Sequence, residues 1–261
     1  MRSRNAESAV RNEDRSDRAL VMVTGAAGAI GTATVNAFQE RGFFVVGMDR
    51  DASVTRARGS NYSGIQVDLE HEEKVIAAMR EVASIGSLAH VVGLAGGALP
   101  RETAEKGLLE LDRASFAESI AANLVTQYTV ARAALPLLRA GKGDRSIALT
   151  SSFNALSGWG LPAYSAAKAG LIGLMHALTS PLGSEGIRIN VVAPGTVRTP
   201  RTERIWGHEP EHFQGLESRS AMGRIGSPAD VANAFVALAT LLTHVTGQVL
   251  VVDGGQMVKR D

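Results

Sequence analysis

The stretch from Ala19 to Gln39 limits the fold more than any other part of the chain. Ala19-Leu20-Val21-Met22-Val23-Thr24 is an unbroken apolar run, the pattern of a strand covered on both faces in a parallel sheet. It passes straight into Gly25-Ala26-Ala27-Gly28-Ala29-Ile30-Gly31, and helical spacing continues through Gln39. Small residues in such a turn let the backbone approach a phosphate, and the following helix offers free N–H groups and a positive dipole end. The same glycines would also serve a plain tight turn, so the next strand decides between the two. Phe43-Phe44-Val45-Val46-Gly47-Met48 ends at Asp49, and an acid about 20 residues past the turn can accept from the adenosine ribose hydroxyls of a dinucleotide. A carboxylate there repels a 2′-phosphate and favours NAD. Arg50 follows directly and could receive that phosphate, which keeps NADP as the less favoured cofactor; the turn itself carries no basic residue.

The alternation continues along the chain. Gly64 to Leu69 predicts a short third strand beside Asp68, and Glu70 to Ala83 has helical spacing. Ala89-His90-Val91-Val92 leads a fourth strand into Gly93-Leu94-Ala95-Gly96-Gly97. Leu111 to Arg139 carries one long helical periodicity with Asn123 in its middle, where asparagine is mildly unfavourable and points to a side-chain role. Ser146 to Thr150 is a fifth strand ending at Ser151-Ser152. The helix containing Tyr164 follows, and Pro181 is expected to kink or end it. Ile187 to Val192 is a sixth strand entering Ala193-Pro194-Gly195. Pro200 to Ser227 reads as irregular, polar and arginine-rich, a length typical of a lid. Pro228 to Leu242 is helical and Gln248 to Val252 is the last strand.

Strands alternating with helices pair in parallel through right-handed crossovers. The chain therefore predicts a single α/β domain, a Rossmann-type doubly wound parallel sheet of about seven strands with helices on both faces. No linker, repeat or second core interrupts it, so residues 19–261 are read as one NAD(P)-binding catalytic domain. Residues 1–18 are polar and lack an apolar h-region, which reads as a disordered extension and not a signal peptide. Ligands of such sheets sit at the carboxyl ends of the strands, where Gly25, Asp49, Asp68, Gly93, Ser152 and Gly195 all fall.

Composition removes several other classes. A net charge of +1 gives no electrostatic basis for nucleic-acid or membrane-surface partners, and no stretch approaches the ~20 apolar residues of a membrane span. The chain has no cysteine, which excludes disulfides, thiolate metal sites and a cysteine nucleophile. The six histidines, His71, His90, His176, His208, His212 and His244, lack metal-ligand spacing and read as surface or packing residues. No metal is expected, and a soluble, cytoplasmic protein is.

Tyr164 and Lys168 stand four residues apart on a helix, hence on one face. A fixed ammonium beside the phenol is expected to lower its pKa from about 10 toward neutrality and make it a usable proton acceptor. Alone the pair is weak, since the same spacing arises in many helices by chance.

Taken together the motifs resemble the classical short-chain dehydrogenase/reductase family. The resemblance runs from about Ala19 to Gly255, through Thr24-Gly25-x-x-x-Ala29-Ile30-Gly31, Asp68-Leu69, Leu94-Ala95-Gly96, Asn123, Ser151-Ser152, Tyr164-x-x-x-Lys168, Pro194-Gly195-x-x-x-Thr199 and Val252-Asp253-Gly254-Gly255. It implies hydride exchange between a nicotinamide and a secondary alcohol or ketone. Tyr164 would take and return the hydroxyl proton, and Lys168 would tune it and bind the nicotinamide ribose. Ser152 would hydrogen-bond the substrate oxygen, and Asn123 would hold a water linking Lys168 to solvent. Gly25, Gly28, Ile30, Gly31, Asp49 and Arg50 would serve the pyrophosphate and adenosine. Asp68, Leu69, Ala95 and Gly96 would border the adenine side, and Pro194, Gly195, Val197 and Thr199 the carboxamide. A homotetramer is likewise implied. Phe153, Asn154 and Trp159 are expected to line the substrate pocket, and Asp253-Gly254-Gly255 to form a structural turn.

Three departures matter. Ala29 replaces a usual glycine, with Gly28 beside it keeping the turn open. Gly93-Leu94 stands where the family has two asparagines, which removes amides that brace the central strand. Counting back thirteen residues from Tyr164 reaches Ser151, whereas strand alternation selects Ser152. The readings left open are an NADPH-dependent 3-oxoacyl-thioester reductase and a non-catalytic dinucleotide-binding regulator. The chain has no room for the separate substrate domain of an extended-type sugar epimerase.

Overall fold

The computed structural model describes residues 19–102, 110–157, 160–207 and 210–259; the expectations for residues 1–18, Trp159 and His208 lie outside the described residues. Strands β1 (Ala19–Thr24), β2 (Phe44–Asp49), β3 (Tyr62–Gln66), β4 (Ser87–Gly93), β5 (Arg145–Thr150), β6 (Ile187–Pro194) and β7 (Val249–Val252) form one seven-stranded sheet in the order β3-β2-β1-β4-β5-β6-β7. Every pairing is parallel. The helices are α1 (Ala29–Gln39), α2 (Glu72–Ile85), α3 (Arg113–Ile120), α4 (Thr126–Ala140), α5 (Pro162–Ser184), α6 (Pro200–Trp206), α7 (Pro210–Arg219) and α8 (Pro228–Thr240).

The unbroken apolar run of β1 has a direct cause. Leu20 and Met22 pack with Val75 and Val82 of α2, Val130 and Leu138 of α4, and Leu171 and Met175 of α5. Val21 and Val23 face the other way, onto Val35 and Phe38 of α1 and Val231 and Phe235 of α8. Strand alternation thus feeds two cores, and the chain order reverses between β1 and β4, opening a crevice at their carboxyl ends. Among the described residues no helix is long and apolar enough to cross a membrane.

Four local expectations are corrected. The segment from Pro200 to Ser227 is not irregular: it holds α6 and α7, and prolines at their first positions are starts, not breaks. The long periodicity from Leu111 is two α-helices joined by a π-helical segment, Ala121–Val125, which places Asn123 where the helix widens. Helix α5 runs past Pro181 to Ser184, so the proline falls in its last turn. Strand β3 begins earlier than expected because Gly64 lies inside it; a Cβ there would come 1.8 Å from the Val54 carbonyl, where the turn Ala52–Thr55 presses on the strand.

Candidate active site

The glycine turn is shaped by close approaches. Gly25 has φ +68°, and a Cβ on it would meet the Leu94 carbonyl carbon and the Ala95 nitrogen at 3.0 Å. A Cβ on Gly31 would lie 2.0 Å from the Gly25 carbonyl oxygen, so α1 stands directly on the turn. Gly28 is the N-cap of α1, which no side chain caps; its first N–H groups, with Ile30 and Gly31 among them, face the rim with the positive end of the helix. Asp49 closes the turn from β2. Its Oδ2 accepts from Ala27 N at 3.0 Å and its Oδ1 from Asp51 N at 3.0 Å, which leaves each oxygen a further acceptor direction. Arg50 beside it is exposed.

Asp68 accepts from Glu70 N at 3.2 Å and sits 3.4 Å from His71 Nε2, while Leu69 is buried. A cleft of about 470 Å³ opens between this corner and α2, lined by Arg50, Gln66, Asp68, Lys74 and Glu81. Ala95 N and Leu94 N donate to Thr24 Oγ1 at 3.2 and 3.1 Å. A Cβ on Gly96 would come 2.6 Å from Asn123 Oδ1. On the far side, Pro194 ends β6, and a Cβ on Gly195 would meet Asp253 Cβ at 2.7 Å, so the terminal turn packs there. Val197 bridges to Gly226, and Thr199 caps α6 reciprocally with Thr202.

At the centre, Tyr164 lies in the first turn of α5 and Lys168 one turn on, its Nζ 5.5 Å from the phenol ring centroid. Lys168 is 2% exposed and donates to the Thr150 carbonyl at 2.9 Å; burial lowers its pKa to about 7. The direction for Tyr164 reverses the sequence expectation. Burial pushes the phenol above its ordinary value, a hydrogen bond with Ser152 and the Arg201 guanidinium oppose that, and Glu102 adds to it. The ammonium is turned to a carbonyl, so desolvation of the phenol wins. The two serines have separate surroundings: Ser152 acts on the phenol and favours its ionised form, whereas Ser151, 1% exposed, donates to the Lys168 carbonyl at 2.7 Å. Phe153 is buried behind them, and Asn154 N donates to Ser152 Oγ at 3.2 Å. Asn123 is fully buried: its Nδ2 donates to the carbonyls of Gly97 (3.1 Å) and Ser119 (3.0 Å), and its Oδ1 accepts from Gly97 N at 2.7 Å.

Sequence reasoning missed four residues here. Gln127 of α4 supplies the brace absent from Gly93-Leu94: its Nε2 donates to the carbonyls of Ala95 (3.3 Å) and Thr150 (3.2 Å), and its Oε1 accepts from Thr150 N at 3.2 Å. A Cβ on Gly93 would lie 2.9 Å from that Oε1, so glycine at this strand end leaves the room that the helix-borne amide fills; the missing strand amides were the available signal. Arg58 donates to the Ala26 carbonyl and to Thr32 Oγ1, both at 3.3 Å, from a polar stretch without periodicity. Arg201 of α6 crosses to the Ala98 carbonyl. Glu102 is a buried carboxylate in the segment after β4. Among the described residues no group of His, Asp and Glu is arranged to hold a metal ion.

Residues 25–257 match the family described as enoyl-(acyl carrier protein) reductase. An uncharacterized short-chain type dehydrogenase/reductase of Sinorhizobium fredii is 34% identical over 247 residues, covering 91% of this chain and 43% of that protein. The cis-4-hydroxycyclohexanecarboxylate dehydrogenase of Sinomonas cyclohexanicum is 33% identical over 244 residues, 90% of this chain and 95% of its own. Among solved structures, ElxO with NADP bound superposes with a TM-score of 0.83 at 26% identity, covering 93% of this chain and 100% of that one.

Proposed function

Because the chain belongs to the short-chain dehydrogenase/reductase family of oxidoreductases, we propose that it exchanges a hydride between a nicotinamide dinucleotide and the carbon of a secondary alcohol or ketone. One observation carries the reading: Ser152 and Tyr164 come together beside a buried Lys168, whose Nζ lies 5.5 Å from the phenol ring centroid, on the rim that the glycine turn opens. A relative named for dehydrogenating cis-4-hydroxycyclohexanecarboxylate supports the alcohol side of it.

The residues present fit a dinucleotide. Gly25 and Gly31 leave no space for side chains, α1 starts uncapped, and Asp49 is anchored on the turn with acceptor capacity to spare. Gly28, Ile30 and Gly31 would hold the pyrophosphate and Asp49 the adenosine ribose. Asp68, Leu69, Ala95 and Gly96 would border the adenine, Tyr164 and Lys168 the nicotinamide ribose, and Pro194, Gly195, Val197 and Thr199 the carboxamide. The bound nicotinamide supplies or accepts the hydride.

The rest is proton traffic and position. Ser152 holds the substrate oxygen beside the phenol. Tyr164 takes the hydroxyl proton in oxidation and returns it in reduction; the Ser152 hydrogen bond and the Arg201 field favour the phenolate that this step needs. Lys168, poised at about 7, exchanges a proton readily at neutral pH. Asn123 anchors the segment after β4 and, through the remaining acceptor direction of Oδ1, a water joining Lys168 to solvent.

NAD is the proposed cofactor, because the Asp49 carboxylate would repel a 2′-phosphate. Arg58 against the Ala26 carbonyl, with Arg50 nearby, favours a second reading, an NADPH-dependent 3-oxoacyl-thioester reductase. A cytoplasmic homotetramer is part of the proposal; Phe116, Val125 and Tyr128 leave an apolar surface along α3, the π-helical segment and α4. The test is nicotinamide reduction with a panel of secondary alcohols, NAD and NADP in parallel, and Tyr164→Phe as control. Turnover with NAD that collapses in the control supports the reading. A preference for NADP moves it to the reductase, and binding of both cofactors without turnover favours a regulator.

A further inference from the structure

We propose that Glu102 is a positioning residue for Tyr164, a buried carboxylate that fixes the start of α5 and puts a negative charge in the surroundings of its phenol. This rests on the role proposed for Tyr164. Helix α5 begins without help of its own: Leu161 at the N-cap makes no side-chain capping bond, and Pro162 has no N–H to offer. The acceptor comes from 62 residues away. Tyr164 N donates to Glu102 Oε1 at 2.9 Å, the place an N-cap side chain would normally fill.

Two further donors hold the same carboxylate. Ser119 Oγ of α3 reaches Oε1 at 3.0 Å, and Leu99 N reaches Oε2 at 2.8 Å. Glu102 is 7% exposed and Ser119 0%. A buried charge is tolerated only when it is met by donors and by a favourable field; here it has three donors and the positive end of a 23-residue helix. The Ser119 carbonyl in turn accepts from Asn123 Nδ2 at 3.0 Å. One side chain therefore ties Tyr164, Asn123 and the segment after β4 into a single body.

The charge acts as well as the geometry. The groups that face the phenol are Ser152, Arg201 and Glu102, with Lys168 one turn below. Glu102 is the anion in that set and opposes the phenolate, while Arg201 favours it. Removing the charge and keeping the shape separates the two effects.

The experiment titrates tyrosinate absorbance in the full chain and in Glu102→Gln, each against the same protein carrying Tyr164→Phe, so that Tyr62 and Tyr128 cancel. This readout needs no turnover. Tyr164 is expected to titrate at lower pH in Glu102→Gln, and kcat on an active substrate to fall about tenfold through lost positioning. An unmoved titration overturns the proposal, because a merely structural glutamate would alter melting and leave the phenol alone. Should Glu102→Gln fail to fold, Glu102→Asp withdraws the charge by one methylene and must move the titration the same way. Full activity in the Tyr164→Phe control would instead overturn the role of Tyr164, an outcome distinct from a failure here.

Discussion

The amide of Gln127 and the missing side chain of Gly93 occupy one space, and a double-mutant cycle can measure that. Gln127→Ala strands the buried Thr150 N–H and the Ala95 carbonyl, whereas the Thr150 carbonyl keeps Lys168 Nζ as a donor. At about 1–3 kcal/mol for each unsatisfied group, the loss is roughly 2–6 kcal/mol. Gly93→Asn alone drives a Cβ to 2.9 Å from Gln127 Oε1 and 3.1 Å from Leu149 Cδ2, overpacking that costs about 1–3 kcal/mol. In the double variant the vacated space admits the strand amide, so the clash disappears and part of the brace returns. The coupling should favour the pair by about 1–3 kcal/mol over the sum of the singles. Urea unfolding of the four proteins at one pH, with m unchanged, reads this directly. Additive losses would refute the reasoning, as would a harmless Gly93→Asn.

Lys168 falls from 10.5 to about 7 on folding. Across that window the unfolded chain binds a proton that the native chain does not, so stability rises with pH. Lys168→Met should flatten this rise, seen as urea midpoints of parent and variant that converge with increasing pH. Arg201→Ala removes a cation that lowers the Tyr164 pKa, so tyrosinate should form at higher pH than in the parent, the opposite sign to Glu102→Gln. Asp230 is held below the usual carboxylate range by Arg224 first and by Ser227 at the start of α8. Asp230→Ala should cost about 1 kcal/mol at neutral pH. Because a depressed carboxyl gives up its contribution as pH falls through its folded value, parent and variant melting temperatures should approach each other in acid.

What the sequence disclosed follows from where its patterns have a single cause. The run from Leu20 to Val23 had to be buried on both faces, and the structure leaves those residues at most 1% exposed; sheet, crossovers and glycine turn were legible from it. Pro200 and Pro210 misled because a proline ending one pattern and a proline opening a helix look alike without the capping partner, Thr202 in the first case. Gln127 and Glu102 were invisible for another reason: Gln127 meets Ala95 and Thr150 across 32 and 23 residues, and Glu102 meets Ser119 and Tyr164 across 17 and 62, and no local period records such bonds. The sign at Tyr164 failed because spacing puts Lys168 on the right face without telling where its ammonium turns. The two serines part company at the strand end, where Ser151 Oγ turns to the Lys168 carbonyl and Ser152 lies on the side of the phenol.

The π-helical segment fixes how long this part of the chain must be. From Ala121 to Val125 the helix carries a surplus residue, and Thr126 reaches back to the Ala121 carbonyl with both its N–H and its Oγ1. Excising one residue would close α3 and α4 into one regular rod with better main-chain bonding, yet turn the halves about 100° against each other. Ser119 and Gln127 could not then meet Glu102 and Thr150 at once. The length of this segment is thus tied to the site: the shortest route to a more regular helix is also the route out of its chemistry.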